Sequence, residues 1–337
     1  MKKIVVSLVL IVIAFLGFYI WASSGEFNTD TDRYAIYNNS TSEALEKDTL
    51  SIMTFNIGYL SGMTNNKAVE RTKALFDANA NSLLQLLDEN SIEILALQEI
   101  DFGSSRSFEV NQLELIQKKG NYNFAAKAIN WDKNYVPFPY WPVHLQFGKI
   151  QSGQALVSRY PILSNTVEVL EKPVDRPFYY NDFYLDRLIQ TSKISINGRE
   201  LSVMNIHLEA FSEKTRAIHL EHVFDTFKAL VAKGPAILLG DFNESLLPME
   251  ASLMQKFYSQ PGFGHAISIS QVTNFGDDNY TFSAETPKVK IDYIFYSSDF
   301  IEMIDAKTIS NTNLLSDHLP VMMRFQLKGV NGNLSLR

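Results

Sequence analysis

From Leu50 onward the chain alternates short apolar runs with stretches of helical periodicity, and several of the runs end on a polar or acidic residue. The apolar runs predict strands at residues 52–55, 92–97, 155–158, 188–196, 201–206, 236–239, 291–296 and 321–327. Helices are expected at 69–87, with Val69, Leu75, Phe76, Leu83, Leu84 and Leu87 near one face, and at 213–233, after the candidate cap Ser212 and before the stop Gly234-Pro235. Some strands alternate and others are apolar throughout, which suggests a layered α/β domain with buried sheets. The pattern becomes chemical where a run stops. Ala236-Ile237-Leu238-Leu239 leads into Gly240-Asp241-Phe242-Asn243, and Ser316-Asp317-His318 is followed at once by Leu319-Pro320-Val321-Met322-Met323. Polar groups at the lip of a buried sheet are costly to desolvate unless a metal or a substrate satisfies them.

A different pattern occupies the N-terminus. Met1-Lys2-Lys3 precedes an uncharged run from Ile4 to Trp21, about 27 Å of helix at the standard rise. That length suits a signal anchor and exceeds the usual secretory apolar segment, although Ala22-Ser23-Ser24-Gly25 offers a weak cleavage site. Lysines before the run and Glu26, Asp30 and Asp32 after it favour export of everything downstream. The expected organisation is therefore a signal anchor or signal peptide at 1–22, a polar linker at 23–49, one catalytic domain at 50–327 and a tail at 328–337. The domain would sit on the extracytoplasmic side, membrane-anchored, or secreted if the leader is cut. Overlapping glycosylation-type triplets at Asn38 and Asn39 carry little weight.

Composition narrows this picture. With 337 residues, 46% of them hydrophobic and 20% charged, the chain is an ordinary globular protein with room for a large core. A net charge of -7 argues against a broad basic face for gripping nucleic acid. It does not exclude a nuclease, because bound divalent cations invert the local field of an acidic site. There is no cysteine, which removes disulfides, thiolate metal sites and lipid attachment at an N-terminal cysteine.

The candidate chemistry lies at the ends of the runs. Glu99 closes Ile94-Leu95-Ala96-Leu97-Gln98, and Asn56 closes Met53-Thr54-Phe55, so both offer hard oxygen donors where open α/β sheets hold ligands. Asp292 sits inside a run where an unpaired carboxylate would be penalised, and Asp317 adjoins His318. A carboxylate that accepts an imidazole proton fixes the tautomer and supports the charge gained in proton transfer. His207 follows 201–206; alone, it reads better as a satisfied core histidine. His144 and His219 show no such setting.

Taken in order, Thr54-Phe55-Asn56, Leu97-Gln98-Glu99, Asn205-Ile206-His207-Leu208, Gly240-Asp241-Phe242-Asn243, Ile291-Asp292-Tyr293 and Ser316-Asp317-His318-Leu319-Pro320 resemble the motifs of the endonuclease/exonuclease/phosphatase superfamily. Ala155-Leu156-Val157-Ser158-Arg159-Tyr160-Pro161-Ile162 resembles one of its strands as well. The resemblance spans about Leu50 to Leu327, with Ile206 in place of the threonine common in relatives. It implies a DNase I-like four-layer α/β sandwich, two packed mixed sheets flanked by helices, with the site at one edge. It further implies a magnesium cofactor, with manganese as an alternative, held by Glu99 with Asn56 and Asp317. By the same resemblance Asp241 orients or deprotonates the attacking water and Asn243 positions water or phosphate. His207 and His318, the latter paired with Asp292, would bind the phosphate oxygens, and Arg187 would contact the phosphate. Whether Asp241 or the His318–Asp292 pair is the formal base stays open.

The substrate is less defined. Two aromatic-rich stretches, 130–142 and 177–184, read as ordered loops that either pack against the sandwich or form a rim for a base, a sugar or a lipid interface. The leader and the acidic balance tilt the expectation toward a lipid headgroup or small phosphodiester. An extracellular nuclease acting on DNA or RNA is the alternative, and a catalytically inactive membrane-tethered binding protein is the alternative of another class. The expected partners are a phosphoester substrate, lipid or nucleic acid, and the membrane through the N-terminal segment. No obligate protein partner is inferred.

Overall fold

The computed structural model describes residues 2–26, 30–38 and 47–329. Among them, thirteen strands form two sheets. In chain order they are β1 (Tyr34–Asn38), β2 (Leu50–Asn56), β3 (Ile94–Asp101), β4 (Phe124–Val136), β5 (Gly148–Ser158), β6 (Ile162–Val169) and β7 (Leu188–Ile196). Then follow β8 (Arg199–His207), β9 (Ala236–Asp241), β10 (Phe263–His265), β11 (Asp292–Ser297), β12 (Ile301–Thr308) and β13 (Val321–Leu327). One sheet runs β1-β4-β5-β3-β2-β13-β12 and the other β10-β11-β9-β8-β7-β6. Each is mixed: β2 pairs parallel with β3 and β8 with β9, while the other pairings are antiparallel.

Five helices complete the frame used below: α1 (Lys2–Ser23), α2 (Lys73–Glu89), α3 (Gln112–Lys119), α4 (Phe178–Phe183) and α5 (Glu213–Val231). The apolar core between the sheets joins Ile52, Ile94, Leu156, Leu201, Val203 and Val321, and the same cluster continues through Met204, Ile206, Leu238 and Phe295 on the far face of the second sheet to the α5 residues Val223, Phe224 and Phe227. A second cluster buries Phe76, Leu83 and Leu87 of α2 and Ile116 of α3 against Met53, Leu95 and Val157 on the outer face of the first sheet. Helix, sheet, sheet, helix is the four-layer DNase I-like arrangement expected from the sequence.

A band of buried amides crosses the inter-sheet core. Gln98 Nε2 donates to Asn205 Oδ1 at 2.6 Å, and Asn205 Nδ2 donates to the Leu97 carbonyl at 3.1 Å and to Gln190 Oε1 at 3.1 Å. Gln154 Nε2 closes the set on the Asn205 carbonyl at 2.9 Å. Gln98 and Asn205, one residue before Glu99 and two before His207, thus pin the two sheets together at their catalytic ends.

Several expectations need correction. Helix α2 starts at Lys73 rather than 69, because the Thr72 side chain caps it by accepting from the Leu75 N–H. The expected loop 130–142 is strand as far as Val136: Trp131 and Val136 are buried and β4 pairs with β5, so its aromatic side chains serve a sheet until the prolines begin. In 177–184, Pro177 starts the short helix α4. Part of the expected linker, Tyr34–Asn38, is an edge strand paired with β4. The polar edge strands β6 and β12 lack the apolar runs by which strands were recognised. Asn39 and the tail from 330 lie outside the described residues.

Candidate active site

Strand register brings the site together. In the second sheet His207 lies beside Asp241 across the parallel β8–β9 pair, and Asp241 lies beside Asp292 across the antiparallel β9–β11 pair. From the first sheet come Asn56 at the end of β2, Glu99 in β3, and Asp317 and His318 just before β13. Two local devices aim these side chains. Gly240 has φ +139, and a Cβ there would stand 2.0 Å from the Ile206 carbonyl, so only glycine lets β9 run this close to β8 before Asp241. Glu99 has φ +50 where the β3–β5 register slips between Leu97 and Ile100, a bulge that redirects its carboxylate.

Asp241, 1% exposed, is the hub. Its Oδ2 accepts from Asn56 Nδ2 at 3.0 Å and lies 3.5 Å from His207 Nε2 and 3.7 Å from His318 Nε2. Its Oδ1 accepts the Asn243 backbone N–H at 2.9 Å. His318 Nδ1 stands 3.0 Å from Asp292 Oδ2. Glu99 Oε1 is 3.8 Å from His207 Nε2 and 3.3 Å from Asn56 Nδ2. Asn65 Nδ2 donates to Glu99 Oε2 at 2.9 Å and lies 3.3 Å from Asp317 Oδ1. Eight of the nine residues singled out in the sequence therefore form one cluster.

The ninth, Arg187, stands at its edge. It lies just before Leu188, which pairs with His207, and its charge acts on both Asp241 and His207. Arg187 Nη2 donates to the Tyr184 hydroxyl at 2.9 Å, and that hydroxyl donates to the Glu209 carboxylate at 3.0 Å. Buried Nη1 of Arg187 has no acceptor among the described residues. The Asn243 side chain turns to the Leu208 carbonyl at 3.0 Å, so it braces the loop after β9. The amide of Asn56 presents Nδ2 to the carboxylates while its Oδ1 accepts the Gly58 N–H at 3.1 Å.

Electrostatics separates the roles. Burial pushes Asp241 up to about 7, against the His318 charge and with the help of Asp292. Burial also opposes a charged His318, but the Asp292 and Asp241 carboxylates outweigh it and hold its pKa well above the ordinary value. His207 goes the other way, kept neutral by burial and by the charges of Arg187 and His318. Glu99 is raised by burial and by Asp317 beside it. Carboxylates crowded into a dry pocket are the setting in which a hard divalent cation binds.

The donor set fits such a cation. Asp241, Asp292 and His318 bring ligand-type atoms within 4.8 Å of one another, a possible acidic and histidine metal site. Asp292 and His318 there are already engaged with each other. The Glu99–Asp317 pair is the better oxygen cage, since its two carboxylates crowd each other and are offset by the charge of His318 and by the amide N–H groups of Asn56 and Asn65, with no paired cation in hydrogen-bond contact among the described residues.

Sequence reasoning missed Asn65, Tyr184, Glu209 and the buried Lys290 beside Asp292, whose pKa burial lowers to about 7. Glu209 follows His207-Leu208 directly and Tyr184 stands three before Arg187, so both were within reach of the motifs. Asn65 lies in a turn with no strand edge to mark it.

Comparison with solved structures finds the same fold. An endonuclease/exonuclease/phosphatase of Beutenbergia cavernae matches with TM-score 0.57 and 19% identity, over 84% of this chain and 72% of that one. The human Nocturnin catalytic domain matches with TM-score 0.57 and 16% identity, over 90% and 100%. A mannosyl-6-phosphatase of Bacteroides thetaiotaomicron matches with TM-score 0.55 and 16% identity, over 82% and 99%. No match was found among curated proteins. The profile described as the Endonuclease/Exonuclease/phosphatase family covers residues 53–318, from the strand before Asn56 to His318. The chain therefore belongs to the endonuclease/exonuclease/phosphatase family of phosphoester hydrolases.

Proposed function

We propose that this protein hydrolyses a phosphoester in a lipid headgroup or small phosphodiester at a membrane surface, by in-line attack of a water on phosphorus, with magnesium or manganese as cofactor. The observation that carries the reading is Asp241, a buried carboxylate within 3.7 Å of two imidazoles of opposite protonation preference. A carboxylate raised to about 7 is matched to accepting a proton at neutral pH. Charged His318, steadied by Asp292, supplies positive charge to the phosphate oxygens, and neutral His207 supplies a hydrogen bond without competing for the proton. Arg187 Nη1, buried and without an acceptor among the described residues, would donate to a further phosphate oxygen. Asn243 keeps the β9 loop in place. Glu99 and Asp317, with Asn56 if its amide turns, would hold the cation, which supplies Lewis-acid stabilisation of charge on the phosphoryl group.

The choice of a membrane substrate rests on the exterior. Helix α1 is long and apolar enough to cross a membrane. Its last turns meet the second half of β4: Phe18 packs on Tyr135 at 5.9 Å, Tyr19 on Phe183 at 5.5 Å, and Asn134 Nδ2 donates to the Trp21 carbonyl at 3.0 Å. Beside this junction Tyr140, Trp141 and Phe178 are all more than 70% exposed. The same loops reach the site, since Trp131 Nε1 donates to the Phe183 carbonyl and Tyr184 bonds Arg187. Aromatic side chains at the foot of a spanning helix favour the bilayer interface, which would set the mouth of the site toward lipid headgroups.

The test is a parallel assay of full-length protein on sphingomyelin, phosphoinositides and plasmid DNA, each with magnesium and with chelator. Metal-dependent release from lipid supports the reading. Cleavage of DNA alone would replace it with the nuclease, and inactivity on every phosphoester would favour a binding protein.

A further inference from the structure

On the outer side of Asn65 the structure has a small pocket lined by Tyr59, Ser61, Asn65, Arg71, Arg106 and Phe147. Its volume of about 10 Å³ suits one water-sized group, such as a phosphoryl or carboxylate oxygen. Two guanidinium groups meet there. The Arg106 side chain is 3% exposed and gives Nε and Nη2 to Asp101 at 3.1 and 2.9 Å, with its guanidinium carbon 3.3 Å from the centre of the Tyr59 ring. Arg71 gives Nη2 to the Thr64 carbonyl at 3.1 Å and lies 5.2 Å from the centre of the Phe147 ring.

What remains is unsatisfied. Arg106 Nη1 and Arg71 Nε are buried and have no acceptor among the described residues. Asp101 neutralises Arg106, but among the described residues Arg71 has no carboxylate in hydrogen-bonding contact, and burial, with Arg106 beside it, lowers its pKa. Buried donors are nearly always paired, and two cationic side chains that line a single pocket, each with a donor left over, call for an anionic acceptor. The position gives the acceptor a role, because Asn65, which lines the pocket, also bonds Glu99 and stands beside Asp317.

We propose that the Arg71–Arg106 pocket is a second anion subsite, which receives an oxygen of a phosphate or carboxylate that the substrate carries next to the scissile phosphoester. This substrate preference rests on the phosphoester-hydrolase reading; the capacity to bind an anion does not. On the lipid reading the substrate class becomes headgroups with two neighbouring anionic groups. On a nucleic acid the same chemistry would be met by an adjacent phosphate.

Two measurements on full-length protein in detergent decide it. Sulfate is titrated calorimetrically into chelator-treated wild type, Arg71→Gln and Arg71→Lys. The Gln variant should bind about tenfold more weakly, as for one lost charged hydrogen bond, and the Lys variant should keep most of the affinity. Equal affinity in wild type and Arg71→Gln overturns the subsite whether or not the protein has activity. The ratio of kcat/KM is then measured within two matched pairs: bisphosphorylated against unphosphorylated phosphatidylinositol, and 5′-phosphorylated against 5′-hydroxyl dinucleotide. A fall of about tenfold in either ratio on Arg71→Gln supports the assignment and identifies the source of the anion. Unchanged ratios in both pairs, with sulfate binding weakened, overturn its assignment to substrate.

Discussion

At the residue scale the site is a set of opposed pKa values in one dry pocket. Asp241 and Glu99 are both raised, so each holds a proton at a pH where an exposed carboxylate would not. A cation held by Glu99 and Asp317 must displace the Glu99 proton, so its binding strengthens as pH rises through the raised range of that carboxyl. The rise in Tm that magnesium produces over chelated protein should therefore be larger at pH 8 than at pH 5; an equal or smaller rise contradicts the assignment of Glu99 to the metal site. Asp292→Asn removes the partner that sustains the His318 charge. The expected result is a loss of about 10²-fold or more in kcat with an unchanged circular dichroism spectrum. Retained kcat would show that His318 does not act as a cation. These roles were legible because each residue lies inside or at the edge of an apolar run. Asn65, Arg71 and Arg106 were not legible, since they lie in loops and short turns outside the apolar runs, where no local pattern encodes their packing.

At the element scale the site depends on two sheets meeting in register. The runs that end in Asn56, Glu99, His207 and Asp241 were recognisable because buried central strands are continuously apolar. The edges β6 and β12 were not, because polar side chains facing water mask a strand whose identity comes from pairing, and the short apolar run of β1 was hidden among the polar residues that flank it. Nor did periodicity reveal the amide band. Asn205 is 1% exposed and joins both sheets through Gln98, Gln190 and the Leu97 carbonyl. Asn205→Leu keeps the volume but strands those partners in the core. A destabilisation of about 2–4 kcal/mol is expected from urea unfolding. A variant as stable as wild type would mean that the band contributes nothing to sheet docking.

For the whole molecule, the question is orientation. Helix α1 and the exposed aromatics of 137–147 and 173–184 share one end of the sandwich, and the turn between β7 and β8 marks the other. The absence of cysteine allows a single label at either end. Val143→Cys, carrying an environment-sensitive fluorophore in protein reconstituted into phospholipid vesicles, should show blue-shifted emission relative to detergent-free buffer spectra of the free dye conjugate. Glu200→Cys, at the far end of β8 from His207, should not. Indistinguishable spectra from the two positions would refute a bilayer-facing mouth while leaving the chemistry untouched.

The most direct test of that chemistry is hydrolysis of bis(4-nitrophenyl) phosphate by full-length wild type, Glu99→Gln and Asp241→Asn across a magnesium titration. Wild type should show saturable, magnesium-dependent release of nitrophenol. Glu99→Gln should require far more magnesium, and Asp241→Asn should lose about 10²-fold or more in kcat at every concentration. Hydrolysis that persists in chelator, or that both variants carry out like wild type, would contradict a metal-assisted site built on Glu99 and Asp241.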